Sequence, residues 1–304
     1  MDREEFLGVS PSSLESILKA GLSYIPMVMP ITETLIDRVS YRNLQSPVQN
    51  QGGGEYCVPF AVAACGEYLI RNGIGGSPPV GNIKLSEAHI SHAAEKRHGN
   101  CSPGMPLWHA AEAMAYWGVV TADVWPYDPN VYCSPTPPDR STSLWYRTPS
   151  WNLFSFRDHD DVVDSLLRYA RGSDLKIMHS ADFARKDLAN GKGAVLIDIP
   201  VVYGSGWDEP TDGTVQMPSA ESIRRFLEED IVSPPGTRGW HAIVLTGFDD
   251  STKRFEFKNS WGAWWGNGGY GTIPYDYVSL FNREMWSSVG IRYEVRTGPL
   301  PGAY

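Results

Sequence analysis

The run Gly239–Trp240–His241–Ala242–Ile243–Val244–Leu245–Thr246–Gly247, with Phe257–Lys258–Asn259–Ser260–Trp261–Gly262 close behind it, decides how this chain is read. A histidine heads one apolar, β-branched run, and an asparagine closes a second and is followed by tryptophan. Asp249–Asp250–Ser251–Thr252 supplies turn chemistry between them, so the two runs are expected to be neighbouring strands. A rigid strand then carries an imidazole, and its neighbour carries an amide able to fix the ring's tautomer, with an indole to keep the pair dry.

A base and an orienting amide need a nucleophile. Upstream, Gln49–Asn50–Gln51–Gly52–Gly53–Gly54–Glu55–Tyr56–Cys57 is a glycine-rich loop running into a cysteine, and an apolar, alanine-rich segment continues to Leu69. A cysteine at a helix N-terminus sits beside unpaired backbone N–H groups and the positive end of the helix dipole, and both favour thiolate. Gln51, six residues ahead of Cys57, is placed to offer a side-chain N–H to an oxyanion. Each residue alone has a plainer reading: a buried core thiol, a strand histidine, a turn asparagine, a polar loop glutamine. Together they point to nucleophilic catalysis.

These stretches resemble the papain-like (C1) cysteine peptidases. The match runs from Gln51 to Cys57, through His241–Ala242, to Asn259–Ser260–Trp261–Gly262 with Trp265–Gly266 and Gly269–Tyr270. Leu85–Ser86–Glu87, Gly104–Met105–Pro106 and Trp125–Pro126–Tyr127 fall in the family's order between them, and Gly21–Leu22–Ser23–Tyr24–Ile25–Pro26 is similar to a short leader in bacterial members. The chain departs from the family at Gly54, where a cysteine is usual, at Glu55–Tyr56 in place of a small pair, and at Val58 in place of an aromatic. About 50 residues more than the family's usual spacing of roughly 130–150 separate Cys57 from His241 and Asn259.

The resemblance implies an α+β, two-lobed papain-like fold. Residues 1–39 would be an N-terminal extension, 40–150 a helical lobe with the nucleophile, and 151–304 an antiparallel, β-barrel-like lobe with His241 and Asn259. The cleft would lie between the lobes. Cys57, His241, Asn259 and Gln51 take the catalytic positions. Gly104, Met105, Pro106, Ala242, Glu55, Trp261 and Trp265 take substrate-binding ones, with an apolar preference at the residue before the scissile pair. The activity implied is a cysteine-type endopeptidase on protein or peptide substrates, needing no cofactor or metal. An acyltransferase or transglutaminase-like enzyme uses the same Cys–His chemistry, and a silent peptide-binding module keeps the fold without it. Asn259, where transfer enzymes often have a carboxylate, and the retained Cys57 and His241 disfavour both.

Composition narrows the rest. The chain has 304 residues, a formal net charge of −9 and 11 tryptophans, which suits a packed globular protein. No basic cluster exceeds two adjacent residues, which disfavours a nucleic-acid groove. No run of about 18 apolar residues is present, so no membrane span is expected. The opening Met1–Asp2–Arg3–Glu4–Glu5 has no signal-peptide pattern, so a monomer in the cytoplasm at synthesis is expected, compatible with delivery by a specialised secretion system. Of four cysteines, Cys65 reads as a buried thiol, and the resemblance suggests pairing of Cys101 with Cys133. Residues 12–20 read as a helix with a Ser12–Glu15 capping box. Tyr24–Ile31 reads as a strap across the two halves or as a segment occluding the cleft of a latent enzyme. The extra segment, Trp207–Asp230, reads as a solvated helix or a roof over the cleft, and 131–150 as a crossover. Asp158–His159–Asp160–Asp161 reads as a helix N-terminal charge cluster rather than a metal site.

Overall fold

The computed structural model describes residues 12–20, 22–24, 36–76, 79–98, 104–130, 142–148, 151–173, 180–208, 212–232, 239–288 and 290–297. The alanine-rich segment after the glycine loop is α2 (Cys57–Arg71), buried at every position through Ile70. A helix apolar on all sides belongs inside a protein, and α2 packs against α3 (Glu87–His98), α4 (Leu107–Tyr116) and the sheet. Gly66 makes this possible, because a Cβ there would run into Met114 and Leu85.

The main sheet has eight strands. Along it lie β1 (Ser23–Tyr24), β4 (Trp151–Phe156), β9 (Glu284–Ser288), β5 (Val195–Pro200), β6 (Trp240–Asp249), β7 (Arg254–Lys258) and β8 (Tyr270–Pro274), with β2 (Arg38–Ser40) also paired to β6. All pairs are antiparallel except β1 with β4. The barrel-like expectation needs correction. Among the described residues the sheet is open, with β1 at one edge and the outer edge of β8 bearing only an isolated bridge between Thr214 and Thr272. Strands β5 and β6 are buried almost end to end, which explains their unbroken apolar runs. A separate ribbon pairs β3 (Thr142–Arg147) with β10 (Arg292–Thr297), so the supposed crossover contains a strand. Among the described residues no helix is long and apolar enough to cross a membrane.

Helices α5 (His159–Ala170), α6 (Ser180–Ala189), α7 (Ala220–Val232) and α8 (Tyr275–Phe281) complete the fold. Asp158 caps α5, with Asp160 and Asp161 in its first turn, as the charge pattern implied. The extra segment is not a solvated decoration: Ile223, Phe226 and Leu227 of α7 are buried, and α7 packs on α5.

The N-terminal extension is partly built into the sheet. In α1 (Leu14–Lys19) the capping residue is Ser13 rather than Ser12, its Oγ accepting from the Ser16 N–H at 3.1 Å, while Glu15 pairs with Lys19. Ile17 and Leu22 join the main core. The rest of the proposed strap, residues 25–31, lies outside the described residues, as do Cys101 and Cys133. Ile17→Ala is expected to destabilise the protein by about 2–5 kcal/mol. Leu18→Ala, on a side chain 50% exposed, should stay within about 0.5 kcal/mol in denaturant titrations.

The head of α1 also meets a buried carboxyl. Glu284 Oε2 accepts from Trp286 Nε1 at 2.7 Å. Burial, reinforced by the Asp198 carboxylate and partly offset by the Ser12 hydroxyl, pushes the Glu284 carboxyl up to about 7 from an ordinary 4.5. Between these values the folded chain binds a proton that the unfolded chain has released, so this group costs stability as pH rises through that window. Glu284→Gln removes the effect. Its stability relative to the parent should climb between pH 5 and 7.5, measured by paired thermal melts, and a difference independent of pH would show that Glu284 is ionised in the folded protein.

Candidate active site

Cys57 is the first residue of α2, where Tyr56 ends the loop without a side-chain cap. Hydrogen bonds from backbone and side chain fix Gln51 in that loop. Its N–H donates to Ser260 O at 2.8 Å, and its carbonyl accepts from Tyr127 Oη at 2.6 Å. Its Oε1 accepts from Ser260 Oγ at 2.6 Å, and its Nε2 donates to Gly54 O at 2.8 Å. The last bond uses one amide hydrogen and orients the second.

On the other side, His241 stands near the start of β6 and Asn259 just beyond β7. His241 Nε2 lies 2.8 Å from Asn259 Oδ1, and the backbone N–H of Ser260 donates to the same Oδ1 at 2.8 Å. A backbone N–H can only donate, so the atom it meets is the amide oxygen, and Nε2 must carry the ring proton toward it. Nδ1, which has no hydrogen-bond partner among the described residues, is therefore the basic nitrogen. Burial pushes the imidazole down to about 4, against the pull of Asn259 in the other direction. Trp261 stacks on the ring at 4.7 Å, and Trp207 meets it edge-on at 6.3 Å.

Helix α2 packs on β6, bringing the Cys57 element against the His241 strand. A cavity of about 20 Å³ between them is lined by Phe60, Ala61 and Ala64 of α2 and by Ala242, Val244, Asn259 and Ser260. Behind it, Lys258 Nζ donates to Ser46 O at 2.9 Å and Oγ at 2.7 Å, Ser46 Oγ donates to Glu67 on α2, and the Leu85 N–H donates to Glu67 at 2.8 Å. Burial pushes Glu67 up and Lys258 down, each partly countered by the other's charge. Cys57, Gln51 and His241 are all 0% exposed.

Gln51, His241 and Asn259 thus form one hydrogen-bonded unit through Ser260. Among the substrate-binding candidates, Gly104 is at a positive φ of 73° just before Met105 and Pro106, and Pro106 caps α4. Met105 packs on Ala93, Ala94 and Ala113. Ala242 lines the cavity, and Glu55 is half-buried in the loop before Cys57. Trp261 and Trp265 are turned inward, Trp261 as the shield of His241 and Trp265 with its Nε1 donating to Trp207 O at 3.1 Å. The exposed indole of that stretch is Trp264, 61% accessible. Sequence reasoning missed Trp207. Its only signal is an aromatic residue in a Gly–Ser–Gly–Trp loop, a pattern with no period to announce burial.

Over 95% of its length the chain superposes on xylellain, a cysteine protease from Xylella fastidiosa, covering 97% of that chain with a TM-score of 0.67 at 19% identity. It also superposes on procathepsin B S9 of Trypanosoma congolense, with a TM-score of 0.62 at 14% identity, covering 94% of this chain and 86% of that one. The fold is that of the papain-like cysteine proteases. In sequence the chain is 31% identical over 130 residues to an uncharacterized peptidase C1-like protein of Acanthamoeba polyphaga mimivirus, a match spanning 36% of this chain and 38% of the relative. It is 51% identical over 63 residues to ananain of Ananas comosus, spanning 20% and 18%. The chain therefore matches well under two thirds of the length of these curated relatives. No protein-family model matches it. The resemblance seen in the motifs is borne out.

Cys65, mid-helix and free, is pushed up to about 12 by burial, whereas Cys57 has the helix N-terminus to favour thiolate. Iodoacetamide at pH 7 followed by peptide mapping should mark Cys57 in the native protein and Cys65 only after unfolding. Equal labelling of the two would remove the special status of Cys57.

Proposed function

We propose that this protein is a cysteine peptidase that cleaves peptide bonds through an acyl-enzyme on Cys57. The observation that carries the reading is the shared Asn259 Oδ1, which accepts from both Ser260 N–H and His241 and so leaves His241 Nδ1 as the base. In the reaction Nδ1 takes the Cys57 proton and the thiolate attacks the scissile carbonyl. The oxyanion is held by the Cys57 backbone N–H and the Gln51 side-chain amide. The imidazolium returns its proton to the departing amine. Water, deprotonated by the same Nδ1, then releases the acid. Asn259 keeps the ring in the one tautomer that can do this, and the tryptophans exclude competing water from the His241–Asn259 bond.

By the family resemblance Met105, Pro106 and Ala242 fall at the specificity pocket, and their apolar character favours an apolar side chain before the scissile residue. Because Cys57, Gln51 and His241 are all without solvent exposure, the walls must part for substrate. Activity is therefore to be measured on the whole chain and after limited proteolysis. An epoxide thiol probe is expected to label Cys57 in one or both forms, with no label there in Cys57→Ala. Peptides with an apolar second residue should be cut, and Gln51→Ala should lower kcat about 10²–10³-fold. Failure of both forms to label and to release fragments would overturn the reading.

A further inference from the structure

The extra segment between β5 and β6 meets the candidate base at one point and the residues just ahead of it at another. The first is Trp207. Its ring lies edge-on to His241 at 6.3 Å and to Trp261 at 6.0 Å, and is stacked on Trp265 at 6.1 Å. Both ends of the residue are tied down. Its carbonyl accepts from Trp265 Nε1, and its own Nε1 donates at 3.3 Å to the Tyr277 hydroxyl, which in turn donates to Pro200 O at 2.8 Å. The indole therefore has one position available, and that position walls off an edge of the imidazole.

The second point is Phe226 on α7. It meets the Trp240 ring at 6.1 Å and covers Gly239, where φ is +75° and any Cβ would strike the Phe226 ring. The Gly239 carbonyl accepts from Val201 N–H at 2.6 Å, joining the two ends of the segment's own loop. Arg283 also stacks on Trp240 at 3.7 Å while its Nε donates to Asp198 at 2.7 Å, and His159 of α5 meets the same indole at 5.4 Å. The residue immediately before His241 is thus held by α7 and by a buried ion pair.

We infer that Trp207 and Phe226, both contributed by the extra segment, act as a two-point clamp on the base. Phe226 holds the backbone that carries His241, and Trp207 holds and dries the imidazole itself. Both are positioning residues, since neither is placed to touch substrate. This inference rests on the peptidase reading for its importance, but its geometry stands apart from it. A shift of about 1 Å in a reacting group can cost on the order of 10²-fold in rate, so the clamp has a measurable consequence.

The test compares Trp207→Phe, Trp207→Leu, Trp207→Ala, Phe226→Leu and Phe226→Ala. For each, kcat and KM on a peptide substrate, the rate of Cys57 alkylation by iodoacetamide at pH 7, and Tm are measured. The clamp predicts that kcat and alkylation fall together in both alanine variants, by up to about 10²-fold, with KM within about twofold. Trp207→Phe and Phe226→Leu should recover most of the loss. If an alanine variant does not fold, the leucine variants carry the test, with Trp207→Leu slower than Trp207→Phe at equal Tm. Folded variants with lowered Tm but parental kcat and alkylation would overturn the clamp, leaving these residues a purely structural role. If the parent cleaves no peptide yet its alkylation still slows in the variants, the clamp stands and the peptidase reading fails.

Discussion

Ser260 is the joint on which the candidate site depends. Its N–H holds the Asn259 oxygen, its carbonyl accepts from Gln51 N–H, and its hydroxyl donates to Gln51 Oε1. One residue thereby orients the amide that fixes the His241 tautomer and the amide proposed for the oxyanion, and the two come from segments about two hundred positions apart in sequence. Each such bond contributes about 0.5–1.5 kcal/mol net, but a buried group left unpaired costs about 1–3 kcal/mol. The asymmetry makes this arrangement hard to leave halfway. A site that must hold a thiol and an imidazole in one geometry across two packed elements needs that stiffness more than it needs added stability.

A second buried connection lies behind it. Lys258, Ser46 and Glu67 join the strand ahead of Asn259 to the middle of α2. Burying a lysine and a glutamate is expensive, and well-packed apolar groups would often be as stable or more so. The network instead fixes register: with Lys258 committed to Ser46, β7 cannot slide by a residue without stranding a charge. Asn259, the next residue, is then delivered to His241.

Much of the site could be read from the sequence because its residues sit in dense local patterns. The glycine loop before Cys57, the apolar run behind His241 and the Asn259–Gly262 cluster each carry several constraints within a few positions. The helix α2 and the strands β6 and β7 were legible for the same reason, through composition and period. The misses have physical causes too. Trp151–Phe156 is buried almost throughout, so β4 shows no alternation, and β3 lies at the end of a proline-rich stretch whose turn residues mask it. The openness of the sheet depends on β1, a two-residue strand that no periodicity can announce. Trp207 and Phe226 matter through tertiary contacts to Trp261, Trp265, Gly239 and Trp240, which spacing along the chain does not reveal.

The arrangement of protons on one ring connects all of this to chemistry. Nitrogen-15 NMR of the Cys57→Ala protein, with His241 assigned by comparison with a His241 variant, reads which ring nitrogen carries the hydrogen at pH 7. A protonated Nε2 held by Asn259 and a bare Nδ1 are the expected result. A ring protonated at Nδ1, or one exchanging freely between the two tautomers, would show that Asn259 does not orient His241 and that Nδ1 is not the base.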